Sequence, residues 1–287
     1  MEKISIQNFG PIIHVEIELK DINIFIGKTS SGKSTVAKLF CIFQEAAFRP
    51  GITFEKFIQL LTDYKIDFDI TPATKMIYEN GALLMAVNNS EIHSNIGEGK
   101  FDKACNPIYI PAERIFFAAV SDSIFSILRG GIPLPKRLID FGAKFEQARN
   151  SIKRFSIDFL NVEYEYAGNT DYIKFPDGMK VKLSDASSGL QSMIPLILVL
   201  EYNTRTYGVI ENFFVIEEPE INVDPASQKD LVEFIINRMN RSLNRIIMIT
   251  HSHNFLYALE RFLQIPNERV CTYYFDSGKC NASFHLV

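Results

Sequence analysis

The chain has 287 residues, 47% of them hydrophobic, with 34 acidic and 30 basic side chains and a formal net charge of -4. So much apolar material buries a large core and excludes a disordered or fibrous chain, while the acidic balance excludes capture of nucleic acid or an anionic membrane by bulk charge alone. Cys41, Cys105, Cys271 and Cys280 form no C-x-x-C pair and no zinc-ligand spacing with histidine, so they read as reduced thiols.

Residues 3–9 and 13–19 alternate polar and apolar side chains as half-buried strands do, and 22–26 is a continuous apolar run ending at Gly27, as in a buried parallel strand. From Lys33 to Phe48 the pattern turns helical, with Val36, Leu39, Phe40 and Phe43 on one face, and stops at Arg49-Pro50-Gly51. Residues 54–64 predict a short amphipathic helix, and 76–96 short strands broken at Asn80-Gly81 and Asn88-Asn89. Residues 107–114, PIYIPAER, begin as a buried strand. The segment from 115 to about 160 reads as helical, interrupted at Gly130-Gly131 and Pro133/Pro135, and DYIKF and MKVKL flank a hairpin turn at Pro176-Asp177-Gly178.

The last third alternates helix 189–205, strand 212–217, helix 225–240, strand 245–250 and helix 254–263, then strands near 269–275 and 282–286. Such alternation predicts an α/β fold with a mostly parallel sheet core, preceded here by antiparallel strands. No repeat or low-complexity linker divides the chain, so the expectation is a single domain over 1–287 with an inserted helical and hairpin lobe at about 115–205. The longest apolar run, MIPLILVL at 193–200, is short of the roughly 20 residues of a membrane-spanning helix. The N-terminus lacks the charged and apolar regions of a signal peptide, so the location expected is cytoplasmic.

Residues 27–34, Gly27-Lys28-Thr29-Ser30-Ser31-Gly32-Lys33-Ser34, fit G-x-x-x-x-G-K-[ST] between a predicted strand and a predicted helix. Glycines let successive amides, through Thr35, turn towards phosphates, and the helix N-terminus adds positive potential. Lys33 then neutralises β- and γ-phosphate charge and the Ser34 hydroxyl ligates Mg²⁺, so the expected cofactors are ATP and Mg²⁺. Residues 213–218, FFVIEE, form an apolar strand ending in two acids, which places both at the crevice where open α/β sheets bind ligands. Glu217 is the candidate metal ligand and Glu218 the candidate base that polarises the attacking water.

With NFGPI at 8–12, SSGLQ at 187–191, EEPEINVDP at 217–225 and ITHS at 249–252 added, the chain resembles the ABC-type ATPases of the SMC and RecF branch. In particular it resembles compact bacterial AAA-like ATPases, a group that includes Septu-type and retron-associated defence proteins. The resemblance implies that Ser188, Gly189 and Gln191 are the signature that grips the γ-phosphate bound to a second subunit, and hence a homodimer that sandwiches ATP. It implies that Asp224 is the D-loop aspartate and that His251 contacts γ-phosphate. Ser188 with Gln191 also reads as a capping box, and Asp224-Pro225 as an N-cap with proline at N1. His253 is a second, weaker candidate for the switch.

Gln44 lies too early for the family's Q-loop glutamine, and Glu113 and Arg114 are candidates to supply that contact instead. Glu217 stands where the family has aspartate, and leucine follows Gly189 where the family often has a second glycine, so slow turnover is expected. The resemblance implies a nucleotide-driven dimerisation switch in bacterial defence or nucleic-acid maintenance, acting with a separate effector. The alternatives are a DNA-clamping ATPase using Lys136, Arg137, Arg149, Lys153, Arg154, Arg238, Arg241 and Arg245, a non-hydrolysing ATP sensor restraining a toxic partner, and a transporter nucleotide-binding subunit.

Overall fold

The three opening strands form β1 (Glu2–Phe9), β2 (Ile12–Leu19) and β3 (Ile22–Gly27). The computed structural model describes residues 2–47, 49, 51–95, 105–120, 134–205, 211–241, 244–263 and 268–283. After the helices α1 (Lys33–Ala47) and α2 (Phe54–Asp63) come three strands, β4 (Lys75–Asn80), β5 (Leu83–Asn88) and β6 (Glu91–Ser94). Their breaks fall at Asn80-Gly81 and Asn88-Asn89, where Gly81 and Asn89 take the left-handed conformation that such turns require. β7 (Cys105–Ile110) leads through a 3₁₀ turn at Ala112–Arg114 into α3 (Ile115–Val120).

The helical expectation for 115 to about 160 holds for α3 and for α4 (Lys136–Ser151) but fails beyond it. Residues Arg154–Ile157 are a strand, β8, followed by a 3₁₀ turn at Asp158–Leu160. The reason is a period of two: Ile157 is buried and Phe155 packs on the core, while Arg154 is exposed. β9 (Val162–Ala167) carries the alternation V-E-Y-E-Y, and it joins the expected hairpin, β10 (Thr170–Lys174) and β11 (Lys180–Lys182), in a four-stranded antiparallel sheet. Gly130, Gly131 and Pro133 lie outside the described residues.

The remainder matches the expected alternation: α5 (Ser188–Arg205), β12 (Glu211–Glu217), α6 (Pro225–Met239), β13 (Asn244–Ile249), α7 (His253–Leu263), β14 (Val270–Asp276) and β15 (Lys279–Ser283). The final strand starts three residues earlier than expected, and 284–286 lie outside the described residues.

Among the described residues the large sheet runs β6-β5-β4-β1-β2-β15-β14-β3-β13-β12-β7. Strands β14, β3, β13, β12 and β7 form a parallel block, and the N-terminal strands pair antiparallel. The fold is therefore a mixed α/β sheet whose parallel part positions the site. Alternate side chains of the block serve two cores. Ile24, Phe214, Ile216 and Met248 pack with α5, α6, α7 and the small sheet, while Phe25, Phe213 and Val215 pack against α1 and the N-terminal strands. No helix among the described residues is long and apolar enough to cross a membrane.

Candidate functional site

Phe25 of β3, Ile249 of β13 and Glu217 of β12 stand in register, so the segments leaving these three strands emerge at one edge of the sheet. That edge carries residues 27–35 after β3, Thr250 and His251 after β13, and Glu218 after β12. Carboxyl ends of parallel strands are where an open α/β sheet leaves a crevice.

The loop after β3 is shaped by two glycines. Gly27 has φ +138°, and a β-carbon there would lie 2.0 Å from the Phe275 carbonyl oxygen on β14; Gly32 has φ +100°. Ser30, also left-handed at φ +61°, turns the loop, and Lys28, Thr29 and Ser30 are exposed. Ser34 and Thr35 are half-buried in the first turn of α1. The Lys33 ammonium folds into the loop and donates to the carbonyls of Gly27 (2.8 Å) and Lys28 (2.7 Å). Burial pushes its pKa down, opposed by the Glu218 carboxylate. Lys28 pairs with Asp276 across the exposed rim at 3.1 Å.

Glu217 is buried at the end of β12. The Tyr109 phenol of β7 is pushed well above its usual range by burial and then by the Glu217 charge beside it. Lys38 of α1 is also buried; burial and then the charge of Arg137 lower its pKa, while Glu217 and Glu113 raise it. The residue after the strand, Glu218, is half-buried and left-handed at φ +43°, with its amide bonded to the Ile249 carbonyl at 2.8 Å. A non-glycine residue in that region is uncommon and marks a backbone held by its surroundings.

The signature segment departs from the capping box expected of Ser188 and Gln191. α5 starts at Ser188, and the hydroxyl one residue earlier, that of Ser187, accepts from the Leu190 amide. The Gln191 amide group reaches back to the carbonyls of Ser184 (2.8 Å) and Ala186 (2.9 Å), so its donors pin the preceding turn. Ser188 is exposed, and Gly189 lies so close to the segment after β12 that a β-carbon would meet the Asn222 carbonyl at 2.9 Å. Asp224 caps α6 as expected, accepting from the amides of Ala226 and Ser227, and is exposed.

His251 is exposed, and His253 opens α7. One Glu220 carboxylate oxygen accepts from the Thr250 hydroxyl (2.6 Å) and from the amides of His251 (3.1 Å) and Ser252 (3.2 Å), tying the segment after β13 to the turn after Glu218. Sequence reasoning does not single out Glu220; its spacing two residues after Glu218 is the available signal.

Arg114, expected to reach the site from β7, is instead fully buried, and its guanidinium donates to the carbonyls of Pro111, Ser192, Glu217, Glu218 and Pro219. Glu113 is exposed and pairs with Arg137 at 2.8 Å. Gln44 is buried against Glu2. The arginines proposed for a basic surface are engaged elsewhere: Arg149 with Asp171, Arg154 with Glu165, Arg238 and Arg241 with Glu201, and Arg245 with Glu2 and Glu211. Lys136 bonds Asp140, and Lys153 sits over the Tyr166 ring.

A strand, glycine loop and helix, with an acidic strand end and a third parallel strand set between them, define a P-loop ATPase with an α/β fold. The chain belongs to the AAA ATPase domain family, whose model matches residues 1–77 and 132–256. It is similar to the DNA double-strand break repair Rad50 ATPase of Sulfurisphaera tokodaii, 27% identical over 122 residues that make up 42% of this chain. The matched stretch is 14% of that relative's length. In fold it is similar to the SMC head domain from Thermotoga maritima, with a TM-score of 0.52 at 12% identity over 99% of this chain and 98% of that one. An SmcHead bound to the C-winged helix domain of ScpA gives a TM-score of 0.57 at 11% identity over 98% of this chain and 96% of that one.

Proposed function

We propose that the chain binds Mg·ATP at the crevice edge, hydrolyses it slowly, and uses it to hold two copies together head to tail. The observation that carries this reading is the convergence of the glycine loop, Glu217-Glu218 and His251 at the ends of three adjacent parallel strands. Amides of Gly27 to Thr35 cradle the phosphates, and Lys33 exchanges its loop carbonyls for β- and γ-phosphate oxygens. Glu218, turned out of the strand by its left-handed backbone, polarises the attacking water, and His251 contacts the γ-phosphate. The Ser34 hydroxyl and the Glu217 carboxylate are hard oxygen donors suited to Mg²⁺. An ion held there would take its other ligands from water and phosphate. Bound there, Mg²⁺ would neutralise charge on the phosphates.

Ser188 and Asp224 are exposed and Gly189 is half-buried, and these residues are available to a second copy's nucleotide. A nucleotide seated between copies would join the two chains through charge-assisted bonds. Resemblance to bacterial defence ATPases and to a Rad50 ATPase supports a role in defence or nucleic-acid maintenance with a separate effector, in the cytoplasm. The engaged arginines do not favour clamping of DNA by this surface.

The test is the solution mass of the protein with and without Mg·ATP, for wild type, Glu218→Gln and Ser188→Arg. A dimer that forms with ATP, is trapped by Glu218→Gln and is lost in Ser188→Arg supports the reading. A mass indifferent to ATP in all three overturns the switch.

A further inference from the structure

Arg114 is an unusual side chain for the centre of a protein. Every acceptor it bonds is a main-chain carbonyl: Pro111 at 3.3 Å, Ser192 at 3.1 Å, Glu217 at 3.0 Å, and Glu218 and Pro219 at 2.9 Å each. A strand sends successive carbonyls to opposite sides. Here three in a row, from Glu217 to Pro219, turn to one guanidinium, and the middle residue is the left-handed Glu218. Burial lowers the arginine's pKa to about 10, with Glu220, Glu218 and Glu217 opposing the fall, so it stays charged at neutral pH. Of the two bonds outside this turn, one returns to nearby Pro111 and the other ends on Ser192, four residues into the helix that begins at Ser188. The turn's other side is held by Glu220, which bonds Thr250 and the amides of His251 and Ser252.

We propose that Arg114 and Glu220 are positioning residues that make the signature helix, the Glu218 backbone and the His251 loop move as one body. A displacement of α5 caused by a second copy's nucleotide at Ser188 passes through the Ser192 carbonyl to Arg114. From Arg114 it reaches the carbonyls on both sides of Glu218, and from Glu220 it reaches His251. Each active edge thereby senses whether its own signature is engaged. The inference rests on the roles given to Glu218, His251 and Ser188 above, and adds a connection between them within one chain.

The guanidinium's planar fork makes this linkage possible, and an ammonium with three donors cannot reproduce it. The test therefore uses Arg114→Lys, with Glu220→Gln as a near-isosteric second variant should the first fail to fold. Fluorescent mant-ATP titration reads binding, and phosphate release reads turnover. Neither residue contacts the glycine loop, so mant-ATP affinity is expected to stay within about threefold of wild type while kcat falls about tenfold or more. In a Glu218→Gln background the same substitutions are expected to cost nothing further, because they act through Glu218.

Affinity and kcat falling together, or losses that multiply with that of Glu218→Gln, would show a merely structural role and overturn the proposal. A kcat within twofold of wild type in both variants overturns it as well. Lys33→Ala separates the two levels of the argument: if it binds mant-ATP like wild type, the assignment of the nucleotide site fails, whatever Arg114 does.

Discussion

Gly27→Ala puts the geometry of the phosphate loop to a quantitative test. A β-carbon at this position would sit 2.0 Å from the Phe275 carbonyl oxygen and 2.9 Å from the Phe275 carbonyl carbon, where real contacts stop near 3.0 Å. The obstacle is backbone of the neighbouring strand, paired with Gly27 in the ladder, so no side chain can swing aside and β3 and β14 must part by about 1 Å. A φ of +138° is nearly closed to any residue but glycine, which adds about 1–3 kcal/mol. Overpacking adds about 1–3 kcal/mol and a weakened ladder bond about 1 kcal/mol. The total, about 3–7 kcal/mol, is a large part of the roughly 5–15 kcal/mol that holds a domain folded.

Gly81→Ala is the control, because φ there is +61° with nothing within 4 Å, so only a left-handed penalty of about 1–2 kcal/mol applies. Urea denaturation monitored by circular dichroism should separate the two by at least about 1 kcal/mol. Equal losses, or a Gly27→Ala protein within about 1 kcal/mol of wild type, would refute the claim that strand packing imposes the loop's shape.

The other expectations concern charge. In the proposed role Lys33 holds phosphate as its protonated ammonium, and burial lowers its pKa, so mant-ATP affinity should weaken as pH rises through that lowered value. Lys33→Met should show no such alkaline limb, and a wild-type affinity that is as insensitive to rising pH as that of Lys33→Met would count against the assignment. In the small sheet, Asp171 is buried between Arg149, at 3.0 Å, and the Tyr164 hydroxyl. Asp171→Asn leaves the arginine without its charge partner and should cost about 3–5 kcal/mol in urea denaturation, whereas Tyr164→Phe should cost about 1–3 kcal/mol. A loss under about 1 kcal/mol for Asp171→Asn would mean that the pair does not anchor the sheet.

Local pattern makes much of this protein legible. The glycine loop between a strand and a helix, and the two acids ending FFVIEE, are short-range signals whose chemistry fixes their place at a strand end. The segment 154–157, at the end of the stretch expected to be helical, defeats that expectation because its aromatic and aliphatic residues suit a helix as well as a strand, and only their alternation decides for the sheet. Gln191 reads as a cap from its spacing, yet its side-chain partners are carbonyls five and seven residues back, in a turn that spacing does not describe.

The sequence by itself determined the phosphate loop, its helix and the acidic strand end, because each depends on residues within a few positions of one another. The order of strands, which sets β13 between β3 and β12, was decided by tertiary structure alone, and so was the burial of Arg114. A lone arginine after Pro-Ala-Glu looks the same whether it reaches a ligand or the core. Its five carbonyl partners come from residues 111, 192 and 217–219, brought together only when the sheet and α5 pack, and that packing turns an exposed-looking cation into the centre of the fold.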